Sequence, residues 1–158
     1  MRFDVPDPTA MRALGAAIAA AVLAADEPGA LLATLRGDLG AGKTTLVGGL
    51  LSALGHHGPA RSPTYTLVEP YQLAGRDVAH CDLYRLRDPD ELEDLGLRDL
   101  MTPRALLLVE WPEKADGRLG AADLALDLEY AGDGRTVRIG AGSPAGGRVL
   151  AMIPSSLT

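Results

Sequence analysis

Ala30 to Leu54 reads ALLATLRGDLGAGKTTLVGGLLSAL, and this stretch decides the fold. Ala30 to Arg36 is a short apolar run bounded by turn signals, the pattern of a buried strand. Gly37 to Thr45, GDLGAGKTT, matches G-x-x-x-x-G-K-[ST]. From Lys43 to Leu54 the apolar positions Leu46, Val47, Leu50, Leu51 and Leu54 recur at spacings of three and four, which makes one face of a helix. A glycine-rich loop between a strand and a helix is the context this motif requires.

The residue types follow from the chemistry. Gly37, Gly40 and Gly42 let the backbone wrap tightly, so that consecutive N–H groups of Leu39, Ala41 and their neighbours point at an anion. The next helix adds its unpaired N–H groups and positive dipole end. Lys43 is expected to reach the β- and γ-phosphates, the Thr44 hydroxyl to ligate Mg²⁺, and Thr45 to lie near the α-phosphate. Lysine is scarce elsewhere. Of 15 basic residues 13 are arginine, and Lys43 and Lys114 are the two lysines. A chain that has nearly abandoned lysine keeps one inside its phosphate loop.

Working outward, Asp7-Pro8 reads as an N-cap followed by proline at the first helical position, opening a helix to about Ala25 that closes in the Asp26–Gly29 turn. Tyr65 to Leu73 and Val78 to Leu83 read as strands joined around Ala74-Gly75-Arg76-Asp77. Asp88-Pro89 opens a helical stretch from Pro89 to Met101, interrupted at Gly96. Ala105 to Trp111 is a second wholly buried strand pattern, and Ala125 to Tyr130 is answered by Arg135 to Ile139 across Gly132-Asp133-Gly134, a hairpin. The tail from Gly140 is Gly/Pro-rich and is expected to be loosely held, with Val149 to Ile153 available to dock. The expected architecture over residues 1–158 is one α/β domain: a P-loop NTPase-like central sheet flanked by helices, with β-hairpin additions.

A P-loop needs an acidic group at the end of a neighbouring strand. Glu110 ends the apolar run Leu106-Leu107-Leu108-Val109, and Asp82 ends Val78-Ala79-His80-Cys81. One carboxylate would sit on the metal side and the other near the attacking water, and the alternative for either is a charge at a strand end. Ser62-Pro63-Thr64-Tyr65-Thr66 falls where a switch-like segment would lie, so a hydroxyl such as Thr64 could sense the γ-phosphate, or the stretch could be a proline turn feeding a strand. Trp111 follows Glu110 directly and is either core packing or a reporter beside the nucleotide. Arg85, Arg87, Arg98 and Arg104 could clamp a second phosphate, as in a small-molecule kinase, although surface arginines are the simpler reading. His56, His57 and His80 show no metal-ligand spacing, and with one cysteine a zinc site is not expected.

Composition excludes other classes. The net charge of −6 argues against a free-standing nucleic-acid binder. The sole cysteine, Cys81, permits no intramolecular disulfide and suits a reducing cytosol. The apolar run Ala13–Ala25 is short for a bilayer span, and Asp4 and Asp7 stand where a leader would be positive, so a buried amphipathic helix and no membrane association are expected. The chain contains no asparagine, so the Asn-Lys-x-Asp motif of P-loop GTPases is missing and adenine is favoured over guanine.

Four segments stand in a shared order: GDLGAGKTT, SPTYTLVEPY, HCDLYRL with PDELEDLGL, and LLLVEWPEKADGRL. Together they closely resemble the bacterial tRNA threonylcarbamoyladenosine biosynthesis ATPases, the TsaE family (formerly YjeE), over roughly residues 8–140. The resemblance implies a P-loop α/β fold that slowly hydrolyses ATP with Mg²⁺. It also implies work with partners TsaB and TsaD, which place threonylcarbamoyl on the adenosine beside the tRNA anticodon; tRNA would be met through that complex. By the same resemblance Lys43 contacts phosphates, Thr44 and Glu110 are Mg²⁺ ligands, Asp82 is the other acidic position, and Thr64 is the switch-like threonine. Trp111 is the tryptophan beside the acid, and Arg135 matches a C-terminal basic residue near the base. Met11 departs from the pattern, standing where members often carry threonine.

Overall fold

The computed structural model describes residues 1–63 and 66–156. Seven strands form one mixed sheet in the order β1-β7-β6-β2-β5-β4-β3. In chain order they are β1 (Arg2–Val5), β2 (Leu31–Arg36), β3 (Val68–Leu73), β4 (Arg76–Asp82), β5 (Leu106–Glu110), β6 (Leu124–Ala131) and β7 (Gly134–Ala141). The helices are α1 (Pro8–Ala25), α2 (Lys43–Ala53), α3 (Glu91–Asp94) and α4 (Pro144–Met152). The four central strands, β6, β2, β5 and β4, run parallel. Antiparallel hairpins extend the sheet on both sides.

Period-two alternation explains why β2 and β5 are apolar on both faces up to their C-terminal ends, Thr34 apart. Leu31, Ala33, Leu35, Leu106 and Leu108 face the layer of α1, α2 and α4, whereas Leu32, Leu107 and Val109 face the α3 region and the Pro112–Ala115 3₁₀ turn. Both faces are covered, so neither carries a polar stripe. The α1–α2 contact is set by glycine. A Cβ on Gly15 would lie 2.1 Å from the Leu46 carbonyl oxygen, and one on Gly49 would lie 2.2 Å from that of Arg12. The helices touch backbone to backbone, which fixes the height of α2, and with it the phosphate loop, over the sheet.

Helix α1 matches its expected bounds, with the Asp7 carboxylate accepting from the Ala10 N–H at 2.8 Å. At 18 residues and hydropathy 1.5 it is long and apolar enough to cross a membrane by composition, contrary to the expectation from the bare apolar run. Here Leu14, Ile18 and Val22 are buried in the core.

Two further expectations are corrected, and one strand goes unread in the sequence. The tail is not loose: Ser143-Pro144 repeats the cap-and-proline device of Asp7-Pro8 and opens α4, whose Val149 is fully buried. Arg148 of that helix forms a two-pronged ion pair with Glu27, at 2.5 and 2.8 Å. The helix expected from Pro89 to Met101 is reduced to Glu91–Asp94 followed by turns closed by i→i−3 hydrogen bonds, with Gly96 in the left-handed region at φ 64°. Such tight turns let Leu92 and Leu97 both reach the second core layer. Finally, β1 pairs antiparallel with β7 and buries Phe3 and Val5, a strand too short to stand out in the sequence. In the hairpin β3–β4, Val68 begins the strand and Leu67 before it has φ 58°. Tyr65 lies outside the described residues.

Candidate functional site

Strand β2 ends at Arg36, and the chain turns through Gly37 (φ 149°), Gly40 (φ 78°) and Gly42 (φ 104°) before α2 begins at Lys43. A side chain at Gly37 would also meet the Leu128 carbonyl oxygen at 2.5 Å. No side chain caps α2, so its first N–H groups face the loop. The Lys43 ammonium donates to the carbonyls of Gly37 (2.5 Å) and Asp38 (3.0 Å) and lies 4.1 Å above the centre of the Trp111 ring. Burial lowers the Lys43 pKa, opposed by Glu110, Asp82, Glu113 and Asp38. The ammonium is therefore short of water and surrounded by acceptors, the condition in which it binds an anion strongly.

The parallel register aligns three strand ends. Leu35 pairs with Glu110, and Glu110 with Asp82. Glu110 is buried at 2% exposure, and its carboxylate accepts from the Thr44 hydroxyl at 3.0 and 3.3 Å. His80 Nε2 lies 2.8 Å from Glu110 Oε1. Asp82, half-buried, accepts from the Ser62 hydroxyl and, at 2.9 Å, from the Tyr84 N–H. Lys43, Thr44, Asp82, Glu110, Trp111 and Arg85 line a common cleft of 420 Å³. Neighbouring Cys81 is buried, its thiol pushed up to about 12, so it offers no nucleophile.

Trp111 adopts a left-handed backbone (φ 58°) between β5 and the 3₁₀ turn, with its N–H on the Leu35 carbonyl at 3.2 Å. That conformation is costly for a bulky residue. It turns the indole over Lys43 and against Tyr84, with ring centres 5.0 Å apart.

The β6–β7 hairpin closes the other side of the loop. The Tyr130 hydroxyl donates to the Leu39 carbonyl (2.8 Å), and Arg135 donates to that of Gly40 (3.0 Å) while stacking on Tyr130. A second cavity of 270 Å³ lies behind the loop, lined by Met11, Gly40, Ala41, Gly42, Thr45 and Arg135 among others. Met11 forms one wall of it and packs against the loop: its Cε would stand 3.0 Å from a Cβ on Gly42.

Thus the structure brings Lys43, Thr44, Asp82, Glu110 and Trp111 to one cleft, which Leu39, Gly40, Gly42 and Thr45 of the loop also line. Thr64 lies outside the described residues, whereas its near neighbour Ser62 reaches Asp82. The arginine clamp does not assemble: Arg85 lines the cleft, but Arg98 pairs with Glu93 and Arg104 with Asp26. Two residues escaped sequence reading. Tyr130 contacts a loop 91 positions away, beyond any local pattern. His80 could have been found, because two-residue spacing in a strand puts it on the Asp82 face. Among the described residues no group of three or more His, Cys, Asp or Glu could hold a metal alone. The hard oxygens of Thr44 and Glu110 suit a cation that takes its remaining ligands from phosphate and water.

Comparison with known proteins gives the family and the fold. Residues 5–138 match the family model described as "Threonylcarbamoyl adenosine biosynthesis protein TsaE". The chain is 44% identical over 135 residues to the tRNA threonylcarbamoyladenosine biosynthesis protein TsaE of Haemophilus influenzae, covering 85% of each chain. It is 39% identical over 117 residues to the Bacillus subtilis protein of that name, covering 74% of this chain and 72% of the relative. The crystal structure of Bacillus subtilis YdiB superposes with a TM-score of 0.76 at 24% identity, covering 97% of this chain and 93% of that one, and supports the fold. The chain belongs to the TsaE family of threonylcarbamoyl adenosine biosynthesis proteins.

Proposed function

We propose that this chain is a Mg²⁺-dependent ATPase serving the threonylcarbamoylation of the tRNA adenosine beside the anticodon, in the cytoplasm and together with TsaB and TsaD. The observation that carries the reading is the Thr44–Glu110 contact, a hydroxyl at a helix start held against a strand-end carboxylate beneath a glycine-rich loop. Relatives that carry the tRNA pathway in their names supply its context. The charge of −6 fits a subunit that meets RNA through partners.

In this reading the loop N–H groups and the α2 N-terminus bind the β- and γ-phosphates, and Lys43 exchanges its carbonyl partners for phosphate oxygens. Thr44 and Glu110 hold Mg²⁺, which supplies neutralisation of the charge that builds on the phosphates. Asp82 faces the same cleft and orients water, and its bond to Ser62 ties the preceding segment to the state of the site. The cavity beside Met11 and Arg135 takes the base, and the lack of asparagine favours adenine.

Phosphate release from Mg-ATP without any acceptor tests the chemistry. Phosphate transfer seen solely when a hydroxyl substrate is supplied would replace the ATPase with a kinase. Glu110→Ala, assayed with TsaB, TsaD and tRNA, tests the role of turnover. A variant that binds ATP, hydrolyses none and still sustains repeated modification cycles would make the chain a nucleotide-gated module.

A further inference from the structure

We infer that His80 is a positioning residue for Glu110: a buried imidazole that donates to the carboxylate and holds it toward the phosphate loop. His80 is completely buried in β4, in register with Leu108 on one side and Glu69 on the other. Its backbone is locked in the sheet interior, so the ring has a fixed origin. Val78, His80 and Asp82 share the strand face turned toward α2, as do Leu106, Leu108 and Glu110 on β5, which places the imidazole beneath the Glu110 carboxylate on the side away from the loop.

Hydrogen-bond accounting gives the ring its role. An ionised carboxylate only accepts, so the 2.8 Å contact requires the proton on His80 Nε2. The other nitrogen, Nδ1, has no partner among the described residues. The ring therefore directs its one side-chain hydrogen bond at Glu110 and bears an unsatisfied buried atom to do so. An apolar residue of similar volume would fill this core position without that penalty. Among the described residues Glu110, at 2% exposure, has two side-chain donors, His80 and Thr44. When the Thr44 oxygen is drawn to a cation, His80 remains as the donor that fixes the carboxylate. Outer partners of this kind commonly change metal affinity or activity about ten- to a hundredfold when removed.

This inference rests on the proposed Mg²⁺–nucleotide site, and its test separates the two. His80→Leu removes the donor at similar volume, whereas His80→Gln places an N–H at the same number of bonds from Cα. With ADP bound, Mg²⁺ is titrated while Trp111 fluorescence is read, and ADP affinity in EDTA and thermal melting serve as controls. The expected result is a Mg²⁺ half-saturation raised about ten- to a hundredfold in His80→Leu and returned to within about threefold of the parent in His80→Gln. ADP affinity in EDTA should stay unchanged, and in Mg-ATP turnover kcat should fall in parallel more than KM. Overlaying Mg²⁺ titrations of the parent and His80→Leu would overturn the inference. So would a folded His80→Gln as impaired as His80→Leu, or a loss of ADP affinity in EDTA equal to the loss with Mg²⁺. If the parent tightens on Mg²⁺ but releases no phosphate, the ATPase reading fails and the positioning role stands. A parent indifferent to Mg²⁺ overturns both.

Discussion

Arg135 lies 3.9 Å over the Tyr130 ring, and the stacked pair holds two adjacent carbonyls of the phosphate loop, Leu39 through the phenol and Gly40 through the guanidinium. The loop is thus braced by a hairpin formed some 90 residues later in the chain. Bracing of this kind holds the N–H groups in a ligand-ready arrangement, so its loss should appear in affinity rather than in melting temperature.

Tyr130→Phe keeps the stack and deletes the hydrogen bond to Leu39. A bond of this type contributes about 0.5–1.5 kcal/mol, so calorimetry should show ATP affinity reduced roughly two- to tenfold. Adding Arg135→Ala should give a non-additive loss, because the two side chains brace one loop. Wild-type affinity in the double variant would refute the brace.

Lys43→Met should abolish tight binding of the nucleotide phosphates and yet raise the stability of the free protein at neutral pH. The sign follows from burial. Desolvation lowers the Lys43 pKa below its ordinary 10.5, so the unfolded chain holds this proton more tightly than the folded one. That penalty is present at neutral pH and fades as pH rises from the lowered folded value toward 10.5. Melting curves of the two proteins should therefore converge between neutral and strongly alkaline pH, with the variant ahead at the start.

Gly49→Ala should be among the most damaging single-methyl changes in the chain. The new carbon would stand 2.2 Å from the Arg12 carbonyl oxygen, a contact that only a shift of α1 against α2 relieves. Overpacking costs about 1–3 kcal/mol even against side chains, and backbone yields less readily. Denaturant titration should show at least that loss. Gly147→Ala, within α4 and with nothing inside 4 Å, serves as the control and should leave stability unchanged or raise it by up to about 1 kcal/mol.

Arg148→Ala tests the docked C-terminal helix. Hydrogen bonding to Arg148 lowers the Glu27 pKa below its ordinary 4.5. A lowered carboxylate contributes stability above its unfolded value and loses it as pH falls through the folded one. The variant should thus be less stable at pH 7, with the difference shrinking below about pH 4.5. A stability gap that ignores pH would leave packing of Val149, rather than the ion pair, as the attachment.

Readability in the sequence tracked the distance over which a residue acts. Gly37 to Thr45 and the leucines of α2 declare themselves because motif and helix are local. Glu110 and Asp82 were legible as strand ends, and parallel pairing then put them side by side. Composition misled in two places. Glycine and proline after Gly140 suggested looseness, although Ser143-Pro144 is a helix start and Arg148 is anchored on Glu27, 121 residues away. The Asp88-Pro89 start signal suggests a helix to Met101 interrupted at Gly96, where i→i−3 turns on both sides of Gly96 deliver Leu92 and Leu97 to the core. Tyr130 acts on a loop 91 positions away, which no pattern within a single element reports, whereas the strand period already puts His80 on the face of Asp82 and only its partner Glu110, 30 positions on, is hidden from local reading.

The two outermost strands also bear on how copies of this protein coexist at high concentration. Strand β3 carries Pro70, which has no N–H to donate, between Glu69 and the half-buried Tyr71. On the opposite border, β1 is four residues long and sets the exposed charges of Arg2 and Asp4 along its rim. A proline on one border and a short, charged strand on the other make poor templates for a neighbouring chain. The sheet is thereby discouraged from growing by edge-to-edge addition, a safeguard for a protein whose two central strands, β2 and β5, are mostly apolar.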